Sequence, residues 1–363
     1  MNTIGFFNSI KSWGGGEKWY YDAALWFSLK GYKVVFFTSP KSMLQQKLAA
    51  SNSVIKIIPF KVGNLSFINV FKVGKLATIF KEEAIDVLVI NSSEDLKLAG
   101  HSAKIAGVSK IIYRRGSAIP VKNTRLNRYI FSNYITDILA NSNATKQTIL
   151  QNNPSLFNKD KIKVIYNPID VNAFANQQAN IIYKKKINAI VIANVARLAP
   201  QKNQQFLIEL SAALQAQQID HTILIAGDGK LEQELKQSAK KLHVEANIIF
   251  TGFVQQSKDV IMACDVFILP SLWEGFGYVL AEASLCKKPV IAFNVSSNAE
   301  LIADNKTGFL IDVNDVNTCV QKILWLRDNE ALAESFGEEG RRYIIENFSS
   351  EKIMQQLETY FFG

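Results

Sequence analysis

Two glutamates eight positions apart, Glu274 and Glu282, flank a Gly-Phe-Gly turn in the stretch SLWEGFGYVLAEA at 271–283. A carboxylate in such apolar company is costly unless it is paired or hydrogen-bonded. Vicinal hydroxyls of a ribose or a hexose would suit each of them. FILPS reads as a buried strand ending at Pro270, and GFG (275–277) as the start of a helix. The amides of Phe276, Gly277 and Tyr278 then lie at a helix N-terminus, where unpaired N–H groups and the helix dipole favour a phosphate. Taken singly, either glutamate reads as a cap or a salt-bridge partner.

Other strand-to-helix turns carry compatible chemistry. In NVARLAPQKN (194–203), Arg197 and Lys202 are five residues apart in the loop after a strand. A planar guanidinium fork and a mobile ammonium together suit a diphosphate, although two surface cations are the plainer alternative. NSIKSWGGGEKW places Gly14, Gly15 and Gly16 where the first strand hands over to a helix, again a place for an anion or simply a flexible loop. In AGDG (226–229), Asp228 reads as a turn former. Phe253 and Val254 end a strand and suit either a flat base or the core. The dinucleotide fingerprint G-x-G-x-x-G is absent, which speaks against a nicotinamide enzyme.

These residues need a scaffold that delivers them together. Short apolar runs at 3–7, 33–39, 54–60, 86–93, 110–115, 137–142 and 161–168 alternate with helical patterns, as βαβ units of a parallel sheet do. The pattern lapses over the polar segment 167–188. It resumes at 189–196, 222–229, 247–254, 266–271, 289–294 and 308–312. The expected fold is therefore α/β, with two doubly wound Rossmann-like domains facing across a cleft. The domains are a first one over 1–170, a linker over 171–188 and a second over 189–345. Apolar Ile353, Met354, Leu357 and Phe361 mark one face of a helix in the tail, 346–363. Open α/β sheets bind ligand at the carboxyl ends of their strands.

A chain of 363 residues fits two domains better than one. Cys264, Cys286 and Cys319 are too few and too scattered for a disulfide framework or a zinc site, so a reducing cytoplasm is expected. The N-terminus lacks a signal-peptide pattern, and no apolar run approaches membrane-spanning length. Charge is uneven. Residues 1–170 hold 23 Lys+Arg against 10 Asp+Glu, whereas 171–363 hold 18 against 22. A basic first half suits an anionic membrane surface, an anionic substrate or nucleic acid. With no nucleic-acid-binding module recognisable, no nucleic-acid partner is expected.

With those residues in order, the chain resembles the retaining glycosyltransferases of the GT-B class called family 4. The likeness rests on the E-x7-E pair Glu274/Glu282 with ARLAPQKN, AGDG, GFV, VFILPSLWEGFG and NPID, and it covers essentially the whole chain. The resemblance implies a nucleotide-sugar donor, with UDP the expected carrier. Glu282 would hold ribose hydroxyls, Arg197 and Lys202 the diphosphate, and Glu274 the transferred sugar, assisted by the amides of Phe276, Gly277 and Tyr278. Val254 and the Gly14–Gly16 loop join the donor side, and Glu17 faces the acceptor. The tail helix would cross back to the first domain. No metal and no cofactor beyond the donor substrate are implied. Many relatives carry a histidine after the strand that reads KIIYRRG here. This chain offers Arg114 and Arg115 instead, for electrostatic work at the sugar or for an anionic acceptor.

The implied acceptor is a glycan or a lipid-linked glycan in cell-surface polysaccharide or lipopolysaccharide assembly. The basic stretches VFKVGKLATIFK (70–81) and RRGSAIPVKNTRLNR (114–128) suggest peripheral attachment to the inner face of a membrane. A nucleotide-sugar epimerase, or a non-catalytic nucleotide- or glycan-binding module, are the competing readings. An epimerase needs acid and base groups at the sugar, but His221 and His243 lie away from the expected cleft, and His101 sits mid-helix, where a surface role is the plainer reading. A binding module would not need both the glutamate pair and the Arg197/Lys202 pair.

Overall fold

The structure, a computed structural model, describes residues 2–186 and 189–363. The chain divides into two units, Met1–Pro168 with Glu351–Gly363, and Ile169–Ser350. The segment read as a linker, 171–188, carries the short helix Val171–Asn176 and counts with the second unit; its residues 187 and 188 lie outside the described residues.

The first unit is built on seven parallel strands: β1 Thr3–Asn8, β2 Lys33–Thr38, β3 Lys56–Pro59, β4 Val87–Ile90, β5 Lys110–Arg115, β6 Asp137–Ala140 and β7 Ile162–Val164. Their order is β3-β2-β1-β4-β5-β6-β7. Alternate side chains feed two cores, because successive residues of a strand point to opposite faces. Phe7, Val35, Phe37, Leu88 and Ile90 pack beneath the helices Val70–Glu82 and Arg125–Asn133 and the helical run 93–106. Ile4, Phe6, Val34, Phe36 and Val89 pack beneath the helix Gly15–Leu29 and the C-terminal helix Ser350–Phe362. That tail helix buries Ile353, Met354, Leu357 and Phe361. Phe361 stacks on Phe27 at 5.2 Å and Phe362 on Tyr32 at 4.9 Å.

The second unit repeats the plan with six parallel strands: β8 Ile190–Val195, β9 His221–Ala226, β10 Ile248–Gly252, β11 Val266–Leu269, β12 Val290–Phe293 and β13 Gly308–Ile311. Their order is β10-β9-β8-β11-β12-β13. Every expected strand has an observed counterpart, and the inner ones, covered on both faces, read as unbroken apolar runs. In each sheet the winding direction reverses once, between β1 and β4 and between β8 and β11, leaving a crevice at those strands' carboxyl ends. Among the described residues, no helix is long and apolar enough to cross a membrane.

Two tests follow from this packing. Leu357→Ala removes a fully buried side chain between the tail helix and the first sheet. It should destabilise that unit by about 2–5 kcal/mol, read as faster amide exchange in β1 and β2. In the second unit, buried His221 lies between the Ser211 hydroxyl and the Ile219 carbonyl, each 2.7 Å away. Burial lowers its pKa from the usual 6.5. Its contribution to stability is therefore fully present above that value and lost as pH falls below it. The urea midpoint should drop between about pH 8 and about pH 5.5, and His221→Gln should flatten that drop. An identical slope in the variant would refute the linkage.

Candidate functional site

In the second unit, the loop after β8 carries both expected cations, and the turn after β9 sets its course. Gly227 and Gly229 adopt φ of +129° and +158°. A Cβ at Gly227 would stand 2.0 Å from the Ala196 carbonyl oxygen, and one at Gly229 would stand 2.1 Å from that of Leu198. No side chain fits there. The backbones are joined as well, since the Leu198 amide donates to the Asp228 carbonyl at 2.7 Å and Ala196 donates to Ala226 at 2.9 Å. Asp228 thus serves through its backbone, while its side chain is exposed.

The same loop is fastened to the segment after β11. Leu272 donates its amide to the Gln201 carbonyl at 2.8 Å, and the Gln201 side chain donates to the Trp273 carbonyl at 2.7 Å. Lys202 lies 2.5 Å from Glu274, with both side chains largely buried. Gln204 donates to the Arg197 carbonyl at 3.2 Å, steadying a residue whose own side chain is exposed. Lys202 and Glu274 are therefore brought together directly, and Arg197 sits on the loop they anchor.

Gly277 caps the helix Tyr278–Leu285, and buried Phe276 holds the turn by packing against Tyr278 at 5.3 Å and Phe348 at 5.6 Å. Glu282, in the second turn of that helix, accepts a 2.6 Å hydrogen bond from the Ser257 hydroxyl. Ser257 follows β10, as does half-buried Val254, while Phe253 is exposed. Arg197, Lys202, Val254, Glu274, Phe276, Gly277, Tyr278 and Glu282 thus lie on loops or in the first turns of a helix at the carboxyl edge of the second sheet, whereas the Gly14–Gly16 loop, also expected on the donor side, belongs to the first unit.

In the first unit, the glycine loop after β1 shows no left-handed backbone at Gly14, Gly15 or Gly16. Gly14 caps the helix Gly15–Leu29 in an extended conformation. Glu17, in its first turn, is buried and accepts from the Asn8 side chain at 3.4 Å. Arg114 is only 2% exposed: its guanidinium lies 4.1 Å from the Trp19 ring centroid and donates to Asn167 at 2.7 Å. Arg115 turns back onto its own loop and donates to the Ile119 carbonyl at 2.5 Å. Both arginines are placed as packing and loop-bracing groups. His101 stacks on Tyr134 at 4.8 Å within the helical layer.

Several participants escape sequence reasoning. Ser257 and Gln201 are ordinary residues in polar loops, and nothing in their spacing announces their partners. Asp95 is fully buried and accepts the amides of Ser9 at 3.1 Å and Ser92 at 3.4 Å, which ties the ends of β1 and β4 together. Burial raises its pKa, opposed by those hydrogen bonds. Asn194, at the end of β8, is also buried and donates to the Ile268 carbonyl at 2.8 Å. Its position as a polar residue closing an apolar strand was a usable signal.

Two doubly wound parallel sheets of this kind make the chain a two-domain α/β protein of the GT-B fold. A glycosyltransferase from Rickettsia africae ESF-5 is similar in structure with a TM-score of 0.85 at 22% identity, over 99% of this chain and 97% of that one. Anabaena HepE, solved in complex with UDP and glucose, is similar with a TM-score of 0.82 at 21% identity, over 99% of each chain. In sequence, the profile "Glycosyl transferases group 1" matches residues 176–343, and "Glycosyltransferase Family 4" matches residues 13–173. Both profiles describe glycosyltransferases, one on each half of the chain. Among curated relatives, it is 26% identical to the UDP-Gal:alpha-D-GlcNAc-diphosphoundecaprenol alpha-1,3-galactosyltransferase of Escherichia coli, over 84% of this chain and 82% of that protein. It is likewise 26% identical to the N-acetyl-alpha-D-glucosaminyl L-malate synthase of Bacillus anthracis, over 80% and 77%.

The Lys202–Glu274 pair is testable by a double-mutant cycle. Lys202→Met leaves the Glu274 carboxylate buried without its cation, a change that costs about 3–5 kcal/mol in comparable pairs. The second unit's urea midpoint should fall accordingly. Adding Glu274→Gln should recover most of the loss, because the uncompensated charge is gone. Equal losses in the single and double variants would show that the pair does not hold these loops.

Proposed function

We propose that the chain is a retaining, metal-independent hexosyltransferase. It would move a sugar from a UDP-linked donor to a glycan or lipid-linked acceptor in cell-surface polysaccharide or lipopolysaccharide assembly. The observation that carries the reading is the clustering of Arg197, Lys202, Glu274 and Glu282 on loops and a helix at the carboxyl edge of the second sheet. Supporting it, the E. coli relative is named for a UDP-Gal donor and a diphosphoundecaprenol-linked acceptor, and Anabaena HepE was solved with UDP and glucose.

In this proposal Glu282 accepts hydrogen bonds from the ribose hydroxyls, its orientation set by Ser257. Val254 lies against the base. Arg197 and Lys202 meet the negative charge that grows on the departing diphosphate, as fixed donors aimed at developing charge do. The amides of Phe276, Gly277 and Tyr278 add partial positive charge at a helix start. Glu274, held by Lys202, orients the hydroxyls of the migrating hexose. The Gly14–Gly16 loop offers close backbone approach, and Glu17 is the acceptor-side carboxylate. With Arg197 and Lys202 assigned to the diphosphate, the proposal requires no metal and no cofactor beyond the donor. The enzyme would work in the cytoplasm, at the inner face of a membrane.

Arg197→Ala should lower turnover by about 10²–10³-fold while donor affinity changes less. Glu282→Ala should weaken UDP binding by about tenfold or more, the loss of hydrogen bonds to a charged acceptor. UDP release and calorimetry read these two effects. Undiminished turnover in Arg197→Ala would sink the diphosphate assignment. Proton NMR of the first-formed product reports its anomeric configuration, and an inverted product would refute retention. An epimerised donor without transfer would favour an epimerase instead.

A further inference from the structure

The helix Val70–Glu82 and the turn before it form a surface unlike the rest of the first unit. The sequence pattern suggests an amphipathic helix lying flat on lipid, and the structure corrects that. Val73, Leu76, Ala77 and Phe80, its apolar stripe, are buried in the sheet's own core. A different apolar set is exposed: Leu65 at 70%, Ile68 at 62%, Val70 at 73% and Phe71 at 86%. Single exposed apolar residues are ordinary, but four large ones within seven positions mark an interaction surface.

The protrusion is built rather than loose. The Gly63 amide donates to the Ser66 hydroxyl at 2.9 Å, and Lys72 donates to the same hydroxyl at 3.2 Å. Asn69 caps the helix by accepting the Lys72 amide at 3.0 Å. Phe67 turns inward against the core with the Lys97 ammonium 5.7 Å over its ring, so its neighbours Ile68, Val70 and Phe71 are held outward.

Charge identifies the partner. From Lys61 to Lys81 the chain carries four lysines and no carboxylate. Lys61, Lys75 and Lys81 are exposed, and among the described residues none of the four forms an ion pair. The same helical layer adds exposed Lys122, Arg125 and Arg128, joined to it through Ser102 at 3.1 Å from the Val73 carbonyl and the His101–Tyr134 stack. Apolar side chains at the tip with unneutralised cations around them match a bilayer whose headgroups are anionic. A protein partner would be expected to meet carboxylates as well as cations.

We propose that this surface docks the chain onto an anionic phospholipid bilayer, with Leu65, Ile68, Val70 and Phe71 entering the headgroup–acyl boundary and Lys61, Lys72 and Lys75 meeting lipid phosphates. The inference deepens the proposed function by giving the transferase its membrane contact, yet it stands or falls separately, because vesicle binding is read without donor or acceptor. The full chain should float with vesicles of phosphatidylcholine containing phosphatidylglycerol and not with phosphatidylcholine alone. Ile68→Ser/Phe71→Ser should reduce vesicle affinity at least about tenfold, with an unchanged circular dichroism spectrum and thermal midpoint. Lys61→Gln/Lys75→Gln should reduce it about fivefold per lysine, as should raised salt. Equal flotation with neutral vesicles, or undiminished flotation of Ile68→Ser/Phe71→Ser, overturns the proposal. So does a wild-type dimer in sedimentation equilibrium that Ile68→Ser/Phe71→Ser abolishes, because the surface would then be a contact between copies of the chain.

Discussion

Two carbonyl oxygens, those of Ala196 and Leu198, stand where side chains of residues 227 and 229 would otherwise be. That close approach governs the chemistry-bearing edge of the second unit. Because only glycine fits, the turn after β9 can press against the loop after β8 and take the Leu198 amide onto the Asp228 carbonyl. The loop is thereby fixed along one side. Gln201 and Lys202 fix it along the other, to Trp273 and Glu274. A charge that is to act on a reacting group must be held before the reaction begins, since reorganising it would consume the benefit. Here the holding is done by backbone packing and a largely buried ion pair, and Arg197 is left exposed at the loop it would act from.

The first unit uses its buried charges differently. Arg114 is enclosed between Trp19 and Asn167, where a guanidinium gains from stacking on an aromatic face and from a hydrogen bond. Asp95, nearby in the same electrostatic environment around Tyr20, ties the ends of β1 and β4. Both are structural groups that keep the crevice at that switch point in shape. Glu17, buried against Asn8, belongs to the same layer of fixed polar groups. An arginine at the end of β5 is therefore a wall of the crevice rather than a mobile cation in it, and any electrostatic effect it has on a ligand acts through the protein.

Legibility in the sequence followed physical simplicity. Strands such as KVVFFT and VLVI were readable because both faces of a parallel sheet are covered, so no polar alternation interrupts them. The AGDG turn was readable because backbone crowding at Gly227 and Gly229 excludes every other residue. Pairings between distant loops were not. Nothing local couples Lys202 to Glu274 or Ser257 to Glu282; each contact exists only once β8, β10 and β11 are assembled into one sheet. The surroundings of Arg114 were hidden for the same reason. Two consecutive arginines read as groups for the sugar or an anionic acceptor, and alternation along β5 sends the first into the Trp19 side of the sheet.

The helix Val70–Glu82 shows how a correct pattern can suggest the wrong surface. An α-helix turns about 100° per residue, so Phe71 lies about 200° from Val73, on nearly the opposite side. Val73, Leu76, Ala77 and Phe80 form a stripe of ordinary width that the sheet consumes entirely. A surface helix with its stripe satisfied should present polar residues elsewhere. This one does so with Lys75 and Thr78, but its first turn exposes Val70 and Phe71, and the preceding turn adds Leu65 and Ile68. The second apolar set contributes nothing to the core, so its hydrophobic free energy is gained only when a partner takes it out of water. The turn is held by its own hydrogen bonds and cap, so its apolar side chains stay outward among lysines that form no ion pair, ready for something apolar and anionic to cover them.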